Sequence, residues 1–233
     1  MQYPNAWRGV RKLYFAELLG LIANAASILL LLLLRVSPEL AQSGFAIGLG
    51  LAALGPVIPV LALMTVGIFQ ARKDEPLFQK ARLAILLSLG LTVLAFSVGS
   101  KSPLYKILDL LGDAANLFCV LYLLKGILRL AHRLKDAAVK QAGEGLYGLI
   151  LIAGSAGILL NAVIALLPKS EAGGGVASMI LTGLVLLLAL LESVLLLLCF
   201  RRAAKMLRED ASPSNPDAKA ESPANSEPRR HKL

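Results

Sequence analysis

Three polar residues within one apolar stretch have the types and the spacing that can support chemistry. Asp109, Asp113 and Asn116 are spaced i, i+4 and i+7, so a helix would carry all three on one face. Such a stripe can line a polar cleft, coordinate a cation or relay protons. Alternatively, it is the amphipathic start of a helix, solvated by water, with Lys106 pairing with Asp109. The two interpretations differ in whether the stripe faces the protein interior.

Two single acids also lie within apolar runs. An ionised side chain costs about 2.5–3.5 kcal/mol at the centre of a membrane helix, so an acid there is expected to have a partner or a role. Glu192 lies nine residues before Arg201 in a leucine-rich run, and we predict that it faces the bundle interior or a neighbouring helix. Glu17 lies five residues after Lys12, where we expect an interfacial position beside basic residues.

Two prolines interrupt another apolar run. Pro56 and Pro59 each lack a backbone donor and clash with the carbonyl four residues earlier, so we predict a helix kink there. Broken helices mark binding sites in some transporters, and elsewhere they are simple packing kinks. Ala16 and Gly20 form a small-xxx-small pair, which is typical of a helix contact face.

The elements that must position these residues follow from the composition. The chain has 233 residues, of which 57% are hydrophobic and 17% charged, and its mean hydropathy is +0.71. Soluble domains average about 45–50% apolar and about 25% charged residues, so a soluble enzyme, a disordered chain and a disulfide scaffold are excluded. Six runs reach the roughly 20 apolar residues that cross a bilayer. They are residues 13–34, 44–69, 81–98, 104–130, 146–167 and 176–200. We therefore predict an all-α, polytopic membrane protein with six transmembrane helices.

The basic residues predict the orientation. All of the 24 lysines and arginines lie before run 1, between runs 2 and 3, around the junction of runs 4 and 5, or after run 6, except Arg35, Lys101, Lys106 and Lys169. Because cytoplasmic loops carry the excess of Lys and Arg, we predict a multi-pass protein of the cell membrane with both termini in the cytoplasm.

The chain divides into a membrane bundle, residues 1–210, and a polar tail. Residues 211–233 contain almost nothing apolar and are predicted to be disordered in the cytoplasm. Within the bundle, Gly67-Ile68 and Gly126-Ile127 are each followed by Ala and a basic run that ends on Lys-Asp. We interpret the bundle as three helical hairpins. Whether they arose by duplication is left open, because basic residues recur at every second loop of any six-span protein.

Three segments carry a resemblance to known proteins. Residues 11–19 (RKLYFAELL), 72–81 (RKDEPLFQKA) and 123–127 (LLKGI) resemble a group of small multi-spanning membrane proteins of Gram-positive bacteria. That group has no established activity, so the resemblance implies a bacterial membrane protein and no catalytic residues. In length, span number and orientation, the chain is also similar to the substrate-binding membrane subunits of energy-coupling-factor transporters. That likeness implies that Ala16 and Gly20 dock a membrane protein partner.

The remaining sequence features argue against enzymatic activity. Neither cysteine belongs to a CxxC pair, and neither histidine lies within an apolar run. No catalytic motif, metal site or cofactor site is expected, and the basic residues indicate lipid rather than nucleic acid as the contact. We expect a non-enzymatic membrane protein with a scaffold, sensor or accessory role. The alternative is a small-solute or ion transport component, which an inward-facing stripe at 109–116 would favour.

Overall fold

A computed structural model describes residues 3–36, 47–48, 50–51, 54–99, 102–166 and 174–209. The predicted tail, residues 211–233, lies outside them. Within the described part of the chain, six helices are α1 (Pro4–Val36), α2 (Val57–Ala71), α3 (Leu77–Val98), α4 (Pro103–Arg133), α5 (Ala137–Leu166) and α6 (Gly174–Glu209). The prediction of an all-α chain with six helices is confirmed.

Five of the six helices are long and apolar enough to cross a membrane. The qualifying segments are Pro4–Leu30, Leu77–Val98, Pro103–Arg133, Ala137–Val163 and Gly183–Glu209. Helix α2 has only 15 residues and is too short to cross by itself. The predicted run 44–69 lies partly outside the described residues. The chain is thus a helical membrane protein.

Local chemistry sets several helix ends. The Ser102 hydroxyl accepts a hydrogen bond from the Leu104 amide at 3.2 Å, and Pro103 occupies the first turn of α4, where a missing donor costs nothing. Helix α3 ends at Gly99, whose φ of 83° is readily adopted only by glycine. The Asp136 carboxylate accepts from the Val139 amide at 2.9 Å and so begins α5.

The helices pack as three hairpins closed into a ring. Each helix packs against its neighbours in the chain, and α6 packs against α1. The predicted hairpins α1–α2, α3–α4 and α5–α6 are therefore confirmed. Helices α1, α3 and α5 begin at the same end of the ring at which α2, α4 and α6 finish. The arginines and lysines of the junctions between hairpins lie there, so we call it the basic end.

The core is concentrated near the basic end. Fully buried large side chains there include Leu13, Ile68, Phe78, Leu130 and Leu207. They come from the first part of the odd-numbered helices and the last part of the even-numbered ones. Tight packing at this end holds the ring together.

The two Gly-Ile pairs of the sequence occupy matching positions within their hairpins. A Cβ on Gly67 would lie 2.9 Å from the Gly9 carbonyl oxygen of α1, and a Cβ on Gly126 would lie 3.0 Å from the Phe78 ring of α3. Each glycine therefore allows α2 or α4 to approach its hairpin partner closely. The Lys-Asp pairs that follow have different roles. Asp136 begins the next helix, whereas Asp74 accepts from a backbone amide at the start of α1.

Candidate functional site

A cavity of about 170 Å³ lies between α4, α5 and α6, and polar side chains from all three helices line it. Its polar side chains are Asp113 and Asn116 from α4, Asn161 from α5 and Glu192 from α6. We call this site the polar groove. Two carboxylates and two carboxamides from three separate helices meet here.

The periodicity of each helix explains why these residues converge. In α5, Gly154, Gly157 and Asn161 are spaced i, i+3 and i+7 and therefore share a face. In α6, Val185 and Glu192 lie seven residues apart and likewise share a face. Gly157 leaves open space beside the asparagine that a larger side chain would fill.

Close approach of α4 and α5 brings the groove walls together. A Cβ on Gly154 would lie 2.5 Å from Cδ1 of Leu117, so glycine at this position permits the contact. The Asn161 Nδ2 donates a hydrogen bond to Asp113 Oδ2 at 3.2 Å. Asp113 is half-buried and its carboxylate has a fixed partner on the facing helix. This bond orients the central acid of the groove.

The predicted stripe on α4 is divided by the structure. Asp113 and Asn116 line the polar groove, whereas Asp109, one turn nearer the start of α4, is exposed and lies outside the lining. The three residues share a face, but the groove opens beside only the deeper two. The inward interpretation therefore applies to Asp113, which is half-buried, whereas Asp109 is exposed outside the groove and Asn116 is exposed at its edge.

The two single acids are linked through α6. The carboxylate of Glu17 on α1 lies beside the Ser193 hydroxyl of α6 and close to Glu192. Glu192 in turn lines the polar groove. Of the two placements that the sequence allows for Glu17, the structure shows the side chain packed against α6, and its position relative to the membrane interface stays a prediction. Polar groups thus continue from α1, through α6, to α4 and α5.

The two prolines lie away from the polar groove. Gly55 and Pro56 form a turn between the helical residue Leu54 and α2, and Pro59 falls in the first turn of α2. The amide of Gly55 donates to the Leu51 carbonyl at 2.7 Å. Helix α2 packs on α1 and α3, not on the helices that form the groove. The interruption therefore shapes the α1–α2 hairpin and not the site.

The small-residue pair on α1 has two different environments. Ala16 is only 1% exposed and is packed inside the bundle. Gly20, one turn further along, has open space where a Cβ would lie. Partner docking through this pair stays a prediction, and Gly20 is the member that remains accessible.

Sequence reasoning missed Asn161 and Ser193. Each is a polar residue in an apolar run: Asn161 donates a hydrogen bond to Asp113 on α4, and the Ser193 hydroxyl lies beside Glu17 on α1. The available signal was the pattern of two glycines and an asparagine on one face of α5. A search for every polar residue within the runs, rather than for acids alone, would have found both.

Two further observations bear on what the polar groove can bind. Across the described ranges, no group of three or more His, Cys, Asp or Glu side chains is arranged to hold a metal ion. The groove combines carboxylate acceptors with amides that both donate and accept, a set that suits a hydrogen-bonding or positively charged solute. Comparison with known protein families, curated proteins and solved structures finds no match to this chain.

Proposed function

We propose that this chain is a non-enzymatic integral membrane protein that binds a small cationic or hydrogen-bonding solute in the polar groove, as a component of a transport system does. The observation that carries the proposal is the convergence of Asp113, Asn116, Asn161 and Glu192 from three helices. Ionisable residues within membrane helices are costly and commonly mark solute or proton pathways. Their arrangement around one cavity supports a binding role.

The charge of the groove favours a cation or a donor-rich solute. Two acids line it, and the described lining contains no lysine, arginine or histidine. Pockets for drug-sized ligands occupy about 300–1,000 Å³. A cavity of about 170 Å³ therefore suits a smaller molecule, such as an organic amine or a hydrated monovalent cation.

The membrane placement that accompanies this function is six spans with both termini in the cytoplasm of a bacterial cell. It is supported by the basic end and by the alternating direction of the packed hairpins. Phosphatase fusions at Gly143 and Glu75 are expected to be inactive, and one at Ser43 active. An active fusion at Gly143 would contradict the six-span topology.

A scaffold, sensor or accessory role is the second candidate. It is favoured by the concentration of the core at the basic end and by the open space beside Gly20 on α1, which a partner helix can approach closely. In that case the polar groove holds the helices together and needs no solute.

Ligand-dependent stabilisation of the purified protein distinguishes the two candidates. The protein in nanodiscs is screened by thermal unfolding against monovalent cations and small organic amines. A binding solute raises the melting temperature of the wild type, and Asp113→Asn and Glu192→Gln are expected to lose that increase. Asp109→Asn is the matched control, since this acid lies on the same helix outside the lining. If no compound stabilises the protein, or if Asp113→Asn keeps the full response, the solute proposal fails and the second candidate is favoured.

A further inference from the structure

The α2–α3 junction at the basic end contains more positive charge than its own acids neutralise. Its two acids are each committed to another helix. Asp74 accepts from the Asn5 side chain at 2.9 Å and from the Ala6 amide at 2.7 Å, both on α1. Glu75 pairs with two arginines of α4. The cations of the junction are therefore left without these carboxylates.

Two of those cations are held against one aromatic ring. The guanidinium of Arg72 lies 4.8 Å from the centroid of Phe69, and that of Arg82 lies 4.5 Å from the same centroid. Arg72 also donates to Gln79 Oε1 at 3.2 Å. Among the described residues, neither arginine has a carboxylate within 4.0 Å. Two like charges are thus gathered around one ring, where an anion would relieve their repulsion.

Unsatisfied polar atoms mark the same place. Nε of Arg82 and Oε1 of Gln70 are buried and have no hydrogen-bond partner among the described residues. A buried donor or acceptor without a partner costs about 1–3 kcal/mol, more when the group is charged. Because both atoms are buried, a ligand reaches them only when the two side chains turn toward the groove, and one that brings an anionic oxygen and a hydroxyl donor then satisfies both.

A groove on the outer side of α2 joins Phe69, Gln70 and Arg72 to an apolar surface, and Arg82 lies beside it against the Phe69 ring without lining it. It has a volume of about 440 Å³ and runs along the last two turns of the helix. Its lining is Thr65, Val66, Phe69, Gln70, Arg72 and Lys73. The apolar residues lie toward the membrane interior and the basic ones at the helix end. This order matches a phospholipid, with acyl chain beside the apolar part and phosphate beside the arginines.

We propose that Arg72 and Arg82, around Phe69, form a binding site for an anionic phospholipid whose headgroup carries a free hydroxyl. The phosphate is bound by the two guanidiniums, the headgroup hydroxyl donates to Gln70 Oε1, and one acyl chain follows Val66. Arginine is suited to this role because its planar guanidinium binds phosphate oxygens in a bidentate manner while stacking on a ring. The site is separate from the polar groove and does not depend on its function.

Lipid binding to the delipidated full chain in detergent tests this proposal by native mass spectrometry and thermal unfolding. The probes are phosphatidylglycerol, phosphatidylcholine and inorganic phosphate. We expect phosphatidylglycerol to bind and to raise the melting temperature, with little effect of the other two. The double substitution Arg72→Gln with Arg82→Gln is expected to weaken phosphatidylglycerol binding about tenfold or more, from the loss of charge-assisted hydrogen bonds.

Two further variants control for folding and for general charge. Arg82→Lys keeps the charge but lacks the planar guanidinium. We expect this variant to bind phosphatidylglycerol more weakly while its melting temperature without lipid stays unchanged. That result separates an effect on binding from an effect on stability. Arg208→Gln removes an exposed charge at the basic end on α6, and is expected to change affinity less than twofold. Equal binding of phosphatidylglycerol and phosphatidylcholine, an equal loss in Arg208→Gln, or an equal response to inorganic phosphate would each overturn the proposal.

Discussion

Removal of the Glu75 carboxylate is expected to destabilise the basic end of the bundle more than any other single charge change. Glu75 is 0% exposed and lies between the α2–α3 junction and the end of α4. Its Oε1 is 3.3 Å from Arg129 Nη1, and its Oε2 is 3.0 Å from Arg133 Nη1. Its Oε1 also accepts from the Leu77 amide at 3.4 Å, at the start of α3. One carboxylate therefore connects three segments.

The magnitude follows from what each partner loses. Breaking a fully buried ion pair by removing one member costs about 3–5 kcal/mol. Here the arginine side chains are 55% and 42% exposed, so water can solvate them once the acid is gone, and the cost falls toward the lower end. Loss of a negative charge at the N-terminus of α3 adds about 0.3–1 kcal/mol. We expect Glu75→Ala to lower the free energy of unfolding by about 3 kcal/mol, and Glu75→Gln by somewhat less.

Thermal unfolding of the purified protein in one detergent measures the effect. Glu144→Gln is the matched control, because Glu144 is 60% exposed and lies 3.9 Å from Lys140, a geometry worth at most about 1 kcal/mol. A double-mutant cycle of Glu75→Gln with Arg133→Gln isolates the pairwise energy. An unchanged melting temperature for Glu75→Gln, or a loss equal to that of Glu144→Gln, would refute the reasoning.

Substitutions at four further places, Gly9, Gly20, Asp74 and the Pro56–Pro59 pair, are tested by the same assay. Gly9→Ala is expected to destabilise by about 1–3 kcal/mol, because its Cβ would lie 2.5 Å from a backbone oxygen of α2. Gly20→Ala, which meets nothing within 4 Å, should be neutral or stabilising, and equal effects at the two sites would contradict the close approach. Asp74→Ala removes the acceptor for the amide at the start of α1 and should lower the free energy of unfolding by about 1–2 kcal/mol. Asp74→Asn keeps an acceptor oxygen and should therefore lose less stability. Replacing Pro56 and Pro59 together by Ala should leave stability unchanged or higher, since both lie at the start of α2; a collapse of folded yield would show that the turn is required.

Much of the fold could be predicted from the sequence because it depends on local composition. A bilayer requires long apolar helices, so runs of leucine, isoleucine and valine predict the helices almost directly. The α3–α4 hairpin follows from the short junction, residues 99–102, between its two helices. The start of α4 at Ser102 and Pro103 and the end of α3 at Gly99 are likewise local.

Which functional side chains come together depends on the angle at which each helix faces its neighbours, and the sequence does not show that angle. The sequence placed Asp109, Asp113 and Asn116 on one face, but only the packing of α4 against α5 and α6 decided that the deeper two line a cavity. The glycines on its face marked Asn161 as unusual, but its bond to Asp113 joins positions that are 48 residues apart, which the sequence could not show.

The partners of the charged residues at the α2–α3 junction were likewise decided by the tertiary structure and not by the sequence. In the sequence, residues 72–82 form a basic segment that contains two acids. The tertiary structure directed Asp74 to α1 and Glu75 to α4, and left Arg72 and Arg82 around Phe69. Helix periodicity determines which residues share a face, but the rotation and crossing of packed helices depend on side chains from distant parts of the chain. For that reason the sequence determined the helices and their hairpins, and only the tertiary structure decided which polar groups meet.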